Sequence, residues 1–178
     1  MAETIPGDRP EICFTAEQAK AAWDEWGFNC GPGALCAMLG LTPKEIRPHL
    51  LDFERKGYTN PTLMKTILDR LRVSWRQTYR GDSQRQALGR QWPKCGLVRI
   101  QWAGPWTKPG VPMRARYRHT HWVGSWRLRE LTDVFDVNAV GWKWFEWWTS
   151  NLVPWLLREC EPGATGEWWP THFIEIER

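Results

Sequence analysis

The sequence predicts an α+β domain, with a helical N-terminal half packed on an antiparallel sheet built from the C-terminal half. Three observations carry this expectation. Leu63, Met64, Ile67, Leu68 and Leu71 recur at helical spacing. Cap-then-proline signals punctuate only the first half of the chain. From Val73 onward apolar residues alternate with polar ones in short runs, as strands do. With 178 residues and no internal repeat, the chain reads as one domain over 1–178, large enough to bury a core.

Residues 1–12 read as a loose N-terminal arm. Residues 14–26 follow as a short helix with Trp23 and Trp26 on one side. Asn29-Cys30-Gly31-Pro32-Gly33 is a turn, after which Ala34 to Leu39 is helical with Leu35, Met38 and Leu39 on one face. Thr42 caps a further helix, with Pro43 at its first position and Glu45 completing a capping box. Pro48 keeps that helix short or bends it. Asn60-Pro61 repeats the signal before the Leu63–Leu71 helix.

Strands are expected at Val73–Tyr79, Gly96–Trp102, Tyr117–Trp126 and Val134–Asn138, with Gly104–Val111 as a loop or hairpin tip. Trp142–Trp148 reads as helix or loop, and Pro154 ends any helix there. Phe173–Glu177 reads as a last edge strand.

Composition narrows the function classes. The chain has 15 Trp against 3 Tyr and 6 Phe, too many bulky, semi-polar rings for all to be fully buried, so some should line a groove. The formal charge of +4 is uneven. Residues 65–130 hold 15 Lys/Arg and 3 Asp/Glu, a net of +12, which leaves −8 for the remainder. A basic block of this kind is either a solvated face or a surface for an anionic partner such as nucleic acid. The five cysteines are odd in number, with no CxxC pair and no zinc-ligand spacing. MAETIPGDRP lacks the apolar core of a signal peptide, and no stretch is long and apolar enough to span a membrane. The reading is a cytoplasmic protein with reduced thiols, without cofactor or metal. Oligomeric state is not legible.

The chemistry-bearing candidate is Cys30. A thiolate nucleophile needs its pKa lowered, and unpaired N–H groups at a helix N-terminus favour the anion. Gly31 and Gly33 beside it would let a substrate backbone come close. A nearby imidazole must take the proton, and a third group must orient the ring. His121 lies on one strand candidate and Asp136 on the next, so a Cys-His-Asp constellation is available.

Phe28-Asn29-Cys30-Gly31-Pro32-Gly33-Ala34-Leu35 resembles the nucleophile helix of papain-like cysteine peptidases, most of all the bacteriocin-processing (double-glycine leader) type. His121-Trp122-Val123 is similar to that family's histidine strand. Val134-Phe135-Asp136-Val137-Asn138 is similar to its acidic strand, and Gly57–Pro61 with the following helix to its second helix. The resemblance covers roughly residues 24–140 with order kept. It implies a papain-like fold, Cys30, His121 and Asp136 as catalytic triad, and action on a peptide or other acyl bond. The family's oxyanion glutamine stands six residues before the cysteine. Here that position is Asp24, and the nearest upstream glutamine is Gln18. The remaining donor candidates are the Cys30 backbone N–H and Asn29.

Rivals accompany each candidate. His119 shares a face with His121 and is the alternative base, or a site-flanking group. Asp133 is the alternative acid, although alternation turns it away from Asp136. Asn138 can replace Asp136, since an amide also orients imidazole. Arg114, Arg116 and Arg118 alternate along the His121 strand and would dock a carboxylate or phosphate at the rim, beside Trp122. Trp142, Trp144, Trp147 and Trp148 are either covering aromatics or a stacking platform. Three functions stay open: a cysteine hydrolase or acyltransferase, a nucleic-acid-binding or nucleic-acid-modifying phage-type protein, and an inactive peptide-binding domain.

Overall fold

Local caps set the helices of the first half. A computed structural model describes residues 8–81 and 89–177. Helix α1 (Ala16–Trp26) starts at Thr15, which forms a capping box with Gln18, and stops at Gly27 in the left-handed region. Helix α2 (Cys30–Leu39) starts at Asn29 and ends at the left-handed Gly40. The Thr42/Glu45 box opens α3 (Pro43–Ile46), as its sequence predicts. A single turn, α4 (Phe53–Lys56), precedes α5 (Pro61–Arg70), whose first turn Asn60 caps through Leu63 N–H. Residues 31–38 of α2 are all buried, so this helix is a core element and not an amphipathic one.

The second half supplies β1 (Trp75–Arg80), β2 (Cys95–Trp102), a short α6 (Met113–Arg116), β3 (Thr120–Leu128), β4 (Leu131–Asp136) and β5 (Gly141–Trp144). Then come α7 (Phe145–Trp147), a π turn over Trp148–Leu152, α8 (Val153–Glu159) and β6 (Trp168–Ile176). The architecture is α+β: six antiparallel strands in the order β1-β6-β2-β3-β4-β5, with helices. Alternation along β2 divides two cores. Leu97 packs with α1, α2 and α5 residues such as Trp26, Leu35, Met64 and Leu68, together with Phe28, Trp122 and Phe135. Val98 and Ile100 pack with Trp92, Trp148, Leu156 and Phe173 on the other side.

Several expectations need correcting. The last strand is not an edge: β6 begins at Trp168 and lies between β1 and β2, with buried rings on both faces. Pro170 fits there because the β2–β6 register shifts beside it, between Arg99 and Ile100. Pro154 does not end a helix. It stands second in α8, directly after the π turn, and the helical backbone runs through it to Glu159. The expected Tyr117–Trp126 strand starts only at Thr120, and Met113–Arg116 is helical, so Arg114, Arg116 and Arg118 do not alternate on a strand face. Trp142–Trp148 is neither one helix nor one loop: it is β5 followed by α7, with Trp148 opening the π turn. The arm is not loose where it is described. Residues 1–7 lie outside the described residues, but Pro10 is buried and accepts the Trp142 indole N–H at 3.1 Å. Arg9 pairs with Asp133 on β4 at 2.5 Å. No helix among the described residues is long and apolar enough to cross a membrane.

Candidate active site

The site forms where the start of α2 meets β3 and the end of β4. Asn29 builds the helix start by accepting from Gly31 N–H at 3.4 Å, while its Nδ2 donates to Gly57 O at 3.1 Å. Its amide is thus engaged in capping, which leaves it a poor oxyanion donor. Cys30 follows as the first helical residue.

His121 is buried on β3, and its Nε2 lies 2.7 Å from Asp136 Oδ2. With that nitrogen engaged by the carboxylate, Nδ1 is the one left free for the Cys30 thiol, which lines the same cleft and whose charge acts on the ring. Asp136 is fully buried and fully satisfied. Oδ2 also accepts from the Trp148 indole at 2.9 Å, and Oδ1 accepts from Asn138 N–H at 3.0 Å and Nδ2 at 2.9 Å. The structure therefore brings together Cys30, His121 and Asp136. Asn138 supports the acid and does not replace it. Trp148 is the member that the sequence reading missed. It sits in a run of four tryptophans with no signal to separate the one indole N–H that reaches Asp136.

Electrostatics follow from this geometry. Burial works against a Cys30 thiolate, but the hydrogen bond and charge of His121, with the backbone of Trp122, outweigh it and hold the thiol below its ordinary value. Burial also disfavours the imidazolium, yet the charge and hydrogen bond of Asp136, followed by Cys30, raise His121 well above its ordinary value. Burial pushes Asp136 up, whereas the charge and hydrogen bond of His121 and the bonds from Trp148 and Asn138 keep it down. Each of these shifts acts in favour of a thiolate–imidazolium pair backed by a carboxylate. Cys36, buried in the same helix, is pushed strongly upward by burial and is inert.

A cleft of about 430 Å³ opens over the pair. One face of α1 lines it through Ala16, Ala19, Lys20 and Trp23, the i, i+3, i+4, i+7 spacing of a helix side. Asp24 lies off that face, exposed and paired with Lys20 at 2.6 Å, and Gln18 is spent in the α1 capping box. Neither reaches the site. The α1 side chain facing the cavity at this level is Trp23, which remains exposed. Trp102 and Trp122 line the same cavity, so tryptophans do line a groove.

The glycines serve a different purpose from the one expected. A Cβ on Gly31 would lie 2.3 Å from Thr59 Oγ1, and one on Gly33 would lie 2.8 Å from Val137. Both make room for the protein's own side chains and not for a substrate backbone. His119 is engaged elsewhere: its Nδ1 pairs with Glu161 at 2.8 Å, and its ring stacks on Trp106 at 3.5 Å. Asp133 pairs with Arg9, while His121 is held by Asp136. Arg118 lines the cleft, Arg116 lines a neighbouring cavity and Arg114 lines neither.

No family model matches the chain, and neither curated proteins nor solved structures give a match.

The basic 65–130 segment does not present one uniform face. Arg76 pairs with Glu175, Arg127 donates to Trp92 O, and Arg99 is buried. Among the described residues no group of three His, Cys, Asp or Glu side chains has the arrangement of a metal site.

Proposed function

We propose that this chain is a cysteine-nucleophile hydrolase or acyltransferase of papain-like design, acting on a peptide, amide or other acyl bond. One observation supports this above the rest: Cys30, at a helix N-terminus, lines one cleft with His121, whose Nε2 is held by the buried Asp136 and whose charge lowers the thiol pKa. Buried carboxylates are costly, and a structural role needs no solvent-open cleft above the thiol.

In this mechanism Cys30 Sγ attacks the acyl carbon and forms a tetrahedral intermediate. His121 Nδ1 donates its proton to the leaving group, and a thioester to Cys30 remains. Water or an amine then attacks the thioester carbonyl, gives its proton to His121 and releases Cys30. Asp136 holds the ring and favours the imidazolium without itself taking the proton. The Cys30 backbone N–H and the Trp23 indole N–H are the donors assigned to the oxyanion.

The test is acyl-enzyme formation. Incubation with p-nitrophenyl acetate should add one acetyl group to Cys30, found by peptide mass mapping. It should be absent in Cys30→Ser and strongly slowed in His121→Ala. Acetylation that persists in Cys30→Ser refutes the assignment. Peptide binding that survives Cys30→Ser, with no acetylation of the parent protein, favours the inactive peptide-binding reading.

A further inference from the structure

Beside the Cys30 cleft lies a second cavity of about 500 Å³, and Tyr117 lines both. Its wall is cationic. Lys65 comes from α5, Arg80 from the end of β1, Arg99 from β2 and Arg116 from α6, and among the described residues no carboxylate lines it. The first turn of the ten-residue α5 borders it through Asn60, Pro61 and Thr62, which adds the positive end of a helix dipole.

Arg99 is the decisive residue. It is only 3 % exposed. Its Nη1 donates to Thr171 Oγ1 at 3.1 Å, and its Cζ lies 5.3 Å from the Tyr117 ring centroid. Its Nε and Nη2, both buried, have no acceptor among the described residues. These two donors share one edge of the planar guanidinium, and that edge matches two oxygens of a carboxylate or phosphate. A buried charge without a counter-charge is unfavourable unless something completes it. Thr171, the β6 residue at the register shift against β2, anchors the opposite edge. His172, also on the wall, senses the field: burial and the charges of Arg99, Lys65 and Arg80 pull it down to about 4.

We propose that this cavity is an anion subsite that binds a phosphate or carboxylate group of the molecule processed at Cys30, with Arg99 Nε and Nη2 as the paired donors. The connection to Cys30 rests on the function proposed above; the anion site itself does not. Tyr117 separates the two cavities, so a substrate with an acidic group near its acyl carbon would span both.

The experiment titrates inorganic phosphate and acetate separately into the full chain, with chloride balancing ionic strength, and follows the His172 ring resonances. A saturable shift is expected with at least one probe, with the His172 pKa rising from about 4. The probe that saturates at the lower concentration identifies the group. Affinity should fall about tenfold or more in Arg99→Gln and in the more exposed double variant Lys65→Gln/Arg80→Gln. The double variant keeps the test valid if Arg99→Gln fails to fold. A response to both probes that is linear, or matched by chloride, overturns the subsite. The link to Cys30 is read from the ratio of iodoacetate to iodoacetamide alkylation rates, which should fall about threefold or more in the double variant. An unchanged ratio overturns the link alone. A Cys30 that reacts with neither reagent overturns the nucleophile and leaves the phosphate result standing.

Discussion

Trp148 donates its indole N–H to Asp136 Oδ2, the same oxygen that receives His121 Nε2, at 2.9 and 2.7 Å. The tryptophan is itself fully buried, packed edge-on against Trp92 and Trp168. The carboxylate is thus aimed from the far side by a rigid ring, which keeps it from swinging away from the imidazole.

Trp148→Phe removes this bond and part of the buried ring. It should slow Cys30 alkylation several-fold and lower stability by about 1–3 kcal/mol, from the lost hydrogen bond and the cavity left by the smaller ring. Iodoacetamide kinetics and denaturant melts on the same samples check both. A stability loss without a kinetic one would make the indole a packing residue only.

The thiolate–imidazolium pair gives a pH signature. Alkylation of Cys30 should reach half its maximal rate below pH 9.0, the ordinary thiol value, because the influence of His121 outweighs burial. In His121→Ala only burial remains as the main influence, so the midpoint should move above 9.0. Rate against pH, with peptide mapping to separate Cys30 from Cys13 and Cys160, measures it.

His172 makes an opposite prediction about stability. Its folded-state pKa of about 4 lies below the ordinary 6.5, so the unfolded chain binds the proton more tightly between those values. Stability should therefore fall as pH drops from 6.5 towards 4. His172→Asn should flatten that part of the curve. Denaturant midpoints across this range decide it, and a variant with an unchanged slope refutes it.

Asp24→Gln restores the glutamine of the resembled family at a position that is exposed and off the cavity face. It should change acetylation by less than about twofold. Trp23→Phe, which deletes the N–H proposed as an oxyanion donor, should reduce acetylation by about tenfold or more. A gain of activity in Asp24→Gln would place residue 24 at the oxyanion and overturn the assignment of Trp23.

Gly31→Ala should cost about 1–3 kcal/mol, since the new methyl meets both Oγ1 and Cβ of Thr59, which cannot simply rotate away. Thr59 also accepts the Trp122 indole through its carbonyl at 2.7 Å, so the strain passes to β3. Thermal melts check the loss.

What the sequence makes legible is local. Caps and prolines mark α3 and α5 within a few residues, and alternation separates Asp136 from Asp133. Cys30, His121 and Asp136 could be named because each sits on an element with a strong local pattern. Long-range pairing is not written in such patterns. The run Arg114–Arg118 has strand-like spacing, yet it folds as a short helix and then a turn before β3. Phe173–Glu177 alternates like an edge strand, but buried rings from Trp168 onward give it partners on both sides. Arg99, in a run that reads as an apolar strand, carries a charge into the interior. Only the meeting of β2, β6, α5 and α6 gives that charge a purpose.

The central position of β6 has a consequence for biosynthesis. β1 and β2 are not paired with each other; each is paired with Trp168–Ile176. On a ribosome, the strands that carry Arg80 and Arg99 have no common neighbour until residue 176 has left the exit tunnel. Pairings this distant in sequence are slow to close. The sheet should therefore close only once β6 is available, and a product cut off before Trp168 should be a target for degradation instead of a partly active protein.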